Sequence, residues 1–413
     1  MATGSHHILI HWGEYALTQE NALKRGSAWE VLKTAVRLGL TSFGGPVAHL
    51  GYFREEYVNR RKWIDEKTYA DLVALCQFLP GPASSQVGMA IGFIRAGFWG
   101  AIAAWIGFTL PSAVALALFA GILKGTSLRE TGWLHGLLVA AVAVVAHAVW
   151  GMTKNFASDR PRATIAIAAA ILALMIPSVF SQVGIIVGAG IAGWIFFRNA
   201  PGAQPVPITL SFNNKAPSVL LILFFVFLGL LPVVRQFTDS HWVALFDGFY
   251  RSGALVFGGG HVVLPLLQAE VVPSGWLTAD QFLAGYGAAQ AVPGPLFTFA
   301  SYLGMASFGW KGAVVATLAI FLPSFLLIIG ALPFWNWLRD HPRFQAALYG
   351  INAAVVGILL AALYHPVWTK AIKSPLDFCL ALAAFGLLAV WKCPPWIVVG
   401  FSAAGGALLS LVS

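Results

Sequence analysis

Nine long apolar runs constrain this chain more than any other feature. They are Ala101–Leu123, Leu134–Gly151, Ala163–Ile176, Val183–Phe197, Pro217–Val234, Ala313–Phe334, Ala346–Leu363, Leu376–Trp391 and Pro395–Val412. Each can cross a hydrocarbon core of about 30 Å as a helix, the shorter ones with help from their flanks. The runs are apolar on every face and do not alternate, which argues against a β-barrel. Of 413 residues, 58% are hydrophobic and 10% charged, against about 45–50% and about 25% in a soluble domain. Too few charges remain to cover a water-facing surface, so a soluble enzyme or a nucleic-acid-binding protein is excluded. The net charge of +9 then reads as Lys and Arg anchoring cytoplasmic loops.

The three cysteines, Cys76, Cys379 and Cys393, have no metal-ligand spacing and read as small buried hydrophobes. His6, His7 and His11 belong to a tail with no cleavable signal. No cofactor and no resident metal are expected.

Two further regions, Trp29–Ala96 and Trp242–Phe308, are apolar but interrupted by Gly and Pro. Each holds two short helical pieces joined at a Pro-Gly-Pro turn: Tyr69–Leu79 with Ser84–Ile94, and Gln281–Val292 with Phe297–Ala306. Pieces of this length span about 16 Å, half a bilayer. They read as re-entrant hairpins or discontinuous helices. With a cytoplasmic N-terminus and both segments returning to the side they enter from, 18 of the 25 Lys and Arg fall inside, the positive-inside pattern.

The second half repeats the first. Phe43-Gly44-Gly45 matches Phe257-Gly258-Gly259 and Glu56 matches Glu270, both at an offset of 214. Trp63, Gln77 and Pro80-Gly81-Pro82 match Trp276, Gln290 and Pro293-Gly294-Pro295 at 213. Gly100 and Pro111-Ser112 match Gly312 and Pro323-Ser324 at 212. The organisation is therefore a tail (1–26), a first repeat (27–198), a linker with one span (199–239) and a second repeat (240–413). Four spans per repeat plus one between them insert the second repeat upside down, a design recurrent in secondary transporters. Counting each Pro-Gly-Pro segment as one broken span would make the repeats parallel, unless Trp29–Phe43 also spans. The expected fold is an all-α polytopic membrane protein of two inverted-topology repeats plus a linking transmembrane helix.

The polar residues of these regions are the candidate site. Pro-Gly-Pro breaks a helix, and the freed backbone groups are tolerated only when packed in protein or lining a wet cavity. The helix that follows starts with free N–H donors, which suit an anion. Gln77, Ser84, Ser85 and Gln86 flank one turn; Gln290, Thr298 and Ser301 flank the other. A single such turn reads as a kink satisfied by neighbouring helices. Two, each with Gln three residues before it, point to a substrate site. Phe43-Gly44-Gly45-Pro46 and Phe257-Gly258-Gly259-Gly260 permit close approach to a ligand or to a partner helix. His49 and His261 follow within a turn and are candidates to titrate or to donate to an oxyanion. Glu56 and Glu270 are candidate proton carriers, or else ion-pair partners of nearby arginines. Arg95 reads as an attractor for a dianion or as an interfacial anchor.

Ser42-Phe43-Gly44-Gly45-Pro46, then His49, Arg54-Glu55-Glu56 and Arg61-Lys62-Trp63, together resemble the chromate ion transporter family. So do Gln77-Phe78-Leu79-Pro80-Gly81-Pro82 with Gln86, Phe257-Gly258-Gly259-Gly260-His261, and Gln290-Ala291-Val292-Pro293-Gly294-Pro295. The resemblance runs from about Ser27 to the C-terminus and is to the long-chain, two-domain form. It implies a multi-pass protein of a bacterial or archaeal cytoplasmic membrane that exports chromate, with sulfate as a competitor or exchange ion. Gly260 stands where Pro46 does, and Phe297, Thr298 and Phe299 stand near Ser84, Ser85 and Gln86. The main anion contacts are accordingly expected at the first turn. An oxyanion channel or a sulfate/anion exchanger is the alternative, and a proton or counter-ion is the expected coupling partner. No GxxxxGK[ST] loop argues for direct ATP drive. A membrane-embedded enzyme would need clustered acids or histidines, and a homodimer is left open.

Overall fold

All nine apolar runs fold as helices in a computed structural model; several of these helices extend three to five residues past the expected bounds, and two begin more than ten residues earlier. It describes residues 26–43, 45–123, 132–176, 179–197, 216–257, 260–334 and 341–412. Gly44, Gly258, Gly259, the tail histidines and residues 198–215 lie outside the described residues. Among the described residues there is no strand.

The first half runs α1 (Ala28–Thr41), α2 (Gly45–Phe53), α3 (Glu66–Phe78), α4 (Ala83–Leu123), α5 (Gly132–Phe156), α6 (Arg160–Met175) and α7 (Val179–Phe196). Then α8 (Ala216–Gln236) links to α9 (His241–Ala254), α10 (Val263–Val271), α11 (Ala279–Ala291), α12 (Phe299–Ala331), α13 (Pro342–Ala362), α14 (Pro375–Ala389) and α15 (Pro395–Val412). Local chemistry sets the starts. Ser27, Asp65 and Asp159 accept from backbone N–H groups three residues on. Thr278–Gln281 and Ser374–Asp377 form capping boxes, each cap contributing about 1 kcal/mol.

Among the described residues, five helices are long and apolar enough to cross a membrane, α5 and residues Pro217–Gln236 of α8 included. Their outer faces carry exposed Ile122, Ile222, Phe225, Val314 and Leu318. Apolar side chains spread over so many outward helix faces, in place of an isolated patch, are what lipid contact requires. The chain is thus a multi-pass membrane protein.

The short pieces differ from expectation in two ways. α3 and α11 have 13 residues each, about 20 Å. The piece after each turn is not separate from the next span. It continues into it through a break, at Ala96-Gly97 in α4 and Phe308-Gly309 in α12, where Gly97 and Gly309 have φ of 65° and 69°. The break folds the helix back on itself. A Cβ on Gly92 would collide with the Gly100 carbonyl, and one on Gly304 with that of Gly312.

The halves interlock. α4 packs on α12, α6 and α7 on α13, and α14 and α15 on α5. Small residues allow the approach, as in membrane helices generally: Gly132 and Gly136 lie against Gly406 and Ser402, and Gly193 against Gly350. His135 at the start of α5 bonds Asp377 at the start of α14 at 2.8 Å.

Candidate functional site

The two Pro-Gly-Pro turns meet the opposite half of the molecule through their backbones. Gly81 donates its N–H to the Val256 carbonyl at 2.7 Å, and Gly294 donates to the Ser42 carbonyl at 2.9 Å. Val256 and Ser42 hold the same place in the two repeats, just after α9 and α1. Gly81 and Gly294 have φ of 120° and 97°, a region that a side chain opposes. A Cβ on Gly81 would collide with Ser324 Oγ, and one on Gly294 would lie 2.9 Å from Ser112 Oγ. Each turn is thus seated on the Pro-Ser step of the long helix from the other repeat.

The side chains then differ. Around the first turn, Ser85 Oγ, Gln86 Oε1 and Ser324 Oγ are buried with no hydrogen-bond partner; Ser42 Oγ, on the residue whose carbonyl holds Gly294, and Thr109 Oγ1, on the residue whose carbonyl holds Ser112, are unpartnered as well. Gln86 donates its Nε2 to the Pro80 carbonyl at 2.8 Å, which leaves Oε1 uncommitted. Pro82 is buried and precedes the first turn of α4. There the early backbone N–H groups have no acceptor within the helix. His49 is buried, with Nδ1 3.3 Å from Ser84 Oγ and its ring edge-on to Phe108. Phe43 is half-buried and its ring lies 6.1 Å from Trp396. Gly45 (φ 78°) and Pro46 open α2 beside it. Gln77 is exposed on α3 and is not drawn in.

Around the second turn the hydroxyls are committed. Thr298 donates to the Pro295 carbonyl at 2.7 Å and Ser301 to the Ala113 carbonyl at 2.8 Å. A 3-10 turn, Leu296–Thr298, replaces the start of an α-helix and ties Thr298 N–H to Pro295. Phe297 and Phe299 are fully buried here. Pro293 is half-buried. Gly260 opens a short 3-10 turn, and His261 Nδ1 bonds the Tyr286 hydroxyl at 2.7 Å. Gln290 Nε2 is a buried donor with no partner.

The charged residues lie elsewhere. Arg95 ends the first part of α4, about 20 Å along the axis from Pro82. It pairs there with Glu30 at 3.2 Å and stacks over Trp63 at 5.2 Å. Glu56 is buried and pairs with Arg61 at 2.7 Å, Arg60 at 3.2 Å and Arg37 at 3.7 Å. Glu270 pairs with Arg251 at 2.7 Å and Arg235 at 2.9 Å, and both arginines also hold the buried Asp247. Of the two readings for these glutamates, ion-pair partner is the one this geometry favours. Arg37 and Arg251 stand 214 apart. The offset that relates the glutamates relates these partners too, a signal that the sequence analysis left unused. Ser324 was visible only as a landmark of the repeat, and Thr109 carried no signal at all.

Among the described residues no group of three or more His, Cys, Asp or Glu is placed to hold a metal ion. The first turn offers neutral donors: hydroxyls and free helix N–H groups. Such donors suit an anion, each hydrogen bond to it contributing about 1.5–3 kcal/mol.

The family model for the chromate transporter matches residues 29–194 and again 243–408. A chromate transport protein of Pseudomonas aeruginosa is 30% identical over 393 residues, 90% of this chain and 89% of that protein. A chromate transport protein of Cupriavidus metallidurans is 28% identical over 394 residues, 92% and 91% of the two chains. An uncharacterized transporter of Bacillus subtilis is 28% identical over 173 residues, 40% of this chain and 97% of its own. No solved structure matches.

Proposed function

The chain belongs to the chromate transporter family, and from that premise we propose that it is a secondary transporter exporting chromate across the cytoplasmic membrane. The dianion binds at the first Pro-Gly-Pro turn. The observation that carries this reading is the buried, unpartnered Ser85 hydroxyl beside the free N–H groups that open α4, with the second N–H of Gln86 Nε2 as a further donor. A buried hydroxyl without a partner is costly, and a site that accepts hydrogen bonds from it only when loaded resolves that cost.

The reading includes a topology. Gly26 N–H donates to the Arg95 carbonyl, Arg95 pairs with Glu30 and stacks on Trp63. The end of α4's first part therefore lies beside the starts of α1 and α3. This supports a segment that enters and returns on one face, with its tip at the Pro-Gly-Pro turn. The reciprocal Gly81–Val256 and Gly294–Ser42 bonds support an inverted relation of the repeats, with both tips near the midplane. On this reading the face carrying Glu30 is cytoplasmic. Around Glu30 and Glu56 stand Arg37, Arg60, Arg61 and Arg95, a surplus of positive charge that draws oxyanions to the inner mouth.

Export of a dianion from a cell that is negative inside is downhill by about 2.3 kcal/mol per charge per 100 mV. The potential alone can drive it. Proton or counter-ion exchange adds a second force. Chromate flux into inverted vesicles or proteoliposomes, with an imposed potential and then with a pH gradient, tests this. Saturable flux that rises with inside-positive potential in inverted vesicles is expected; flux indifferent to potential and to every second ion gradient defeats it.

A further inference from the structure

Ser324 lies on α12, in the second half, yet its hydroxyl sits against Gly81 in the first. A Cβ on Gly81 would strike Ser324 Oγ and would lie 3.0 Å from Gln86 Nε2. The same small volume thus holds the second half's serine and the first half's glutamine. Ser324 is fully buried and its hydroxyl has no partner.

That is unusual within this molecule. Helical hydroxyls here commonly bond the carbonyl four residues back: Ser252 to Gly248, Ser307 to Leu303, Thr317 to Ala313. Ser324 does not. Its counterpart Ser112, seated against Gly294 in the same manner, donates to the Thr109 carbonyl at 3.1 Å. One of the two matched serines is committed to backbone and the other is held open. An open hydroxyl beside the Gln86 amide N–H is a donor with no acceptor among its present contacts.

We propose that Ser324 donates its hydroxyl to the tetrahedral oxyanion held at the first Pro-Gly-Pro turn, so that the binding site is shared by the two halves of the chain. The proposal rests on the anion reading of that turn. It adds a function for the interlock of α4 with α12: the bound ion ties the second half's long helix to the first half's turn. A ligand that bridges two bodies can shift their relative arrangement only through such a differential contact. Ser112, already bonded, provides no equivalent at the second turn.

The test compares Ser324→Ala, Ser112→Ala and Ser85→Ala in the full-length purified protein. Chromate and, separately, sulfate serve as probes. Affinity is read from the ligand-dependent shift in thermal unfolding, alongside transport in proteoliposomes. Ser324→Ala should weaken binding about tenfold while leaving the unliganded protein at least as stable as wild type, since its hydroxyl has no bond to lose. Ser112→Ala should keep wild-type affinity. Wild-type affinity in Ser324→Ala with weakened binding in Ser85→Ala overturns the shared site and leaves the first-turn site standing. Wild-type affinity in both defeats the first-turn reading itself. Lower stability of unliganded Ser324→Ala, with unchanged affinity, assigns the serine to packing and also overturns the proposal.

Discussion

At the first turn Ser85 and Gln86 keep polar atoms free, while at the second Thr298 and Ser301 bond the carbonyls of Pro295 and Ala113. The charged clusters differ in a related way. In the first half Glu56 is met by Arg37 and Arg60, both largely exposed, in a group with more cations than acids. In the second half Arg251 and Arg235 balance Asp247 and Glu270, and both acids are buried. The first turn keeps the Ser85 hydroxyl open near a basic surface; at the second, Thr298 and Ser301 are closed, Gln290 Nε2 stays open, and the nearby charges are balanced. Duplicated backbones can thus carry unequal roles. Sharing one backbone preserves the turn, while side-chain changes such as Phe299 in place of Gln86 decide which copy can hold an ion.

The sharpest way to break the comparison is topological, because its outcome is all or none. Single cysteines at Arg160 and Lys370, in a chain without Cys76, Cys379 and Cys393, should react with a membrane-impermeant reagent from opposite sides, Lys370→Cys from outside. Labelling of Arg160→Cys from outside intact cells defeats the inverted arrangement.

Next in size is the contrast between the arginines. Arg251→Met leaves two buried acids with one cation, and loss of one partner of a buried pair costs about 3–5 kcal/mol. Arg37→Met removes an exposed partner at 3.7 Å, where pairs contribute about 0–1 kcal/mol. Unfolding in detergent should show a large loss for the first and little for the second. Equal losses would mean that the two clusters do not differ as their burial indicates.

The hydroxyls come next. Ser85→Ala and Gln86→Ala should each weaken chromate transport roughly tenfold, from loss of one hydrogen bond to a charged group, with membrane insertion intact. Thr298→Ala and Ser301→Ala should instead lower stability by about 0.5–1.5 kcal/mol and change affinity less than twofold. The reverse pattern would move the site to the second turn.

The smallest effect on the pH dependence of transport is expected at the glutamates. Held by guanidinium groups, Glu56 and Glu270 should act as ion-pair partners. Glu56→Gln should therefore keep the wild-type dependence of flux on a pH gradient. Loss of pH-driven accumulation with binding retained would make Glu56 the proton carrier instead.

The apolar runs and the 213-residue repeat of Pro-Gly-Pro were legible because each is read along the chain. Lipid exposure demands unbroken apolar length, and a repeat is a comparison of the chain with itself. From these follow the helices, the membrane and the prominence of the first turn. Contacts between the halves were not legible. Gly81 meets Val256 and Ser324, and Gly294 meets Ser42 and Ser112, across about 170 to 250 residues of chain that no periodicity relates. The same limit hid the partners of Arg95, which reads along the chain as an anion attractor and pairs in space with Glu30. Whether a hydroxyl is free or bonded depends on which carbonyls the packing brings within about 3 Å. Ser112 and Ser324 both end a Leu-Pro-Ser step, and only the tertiary structure commits one and leaves the other open.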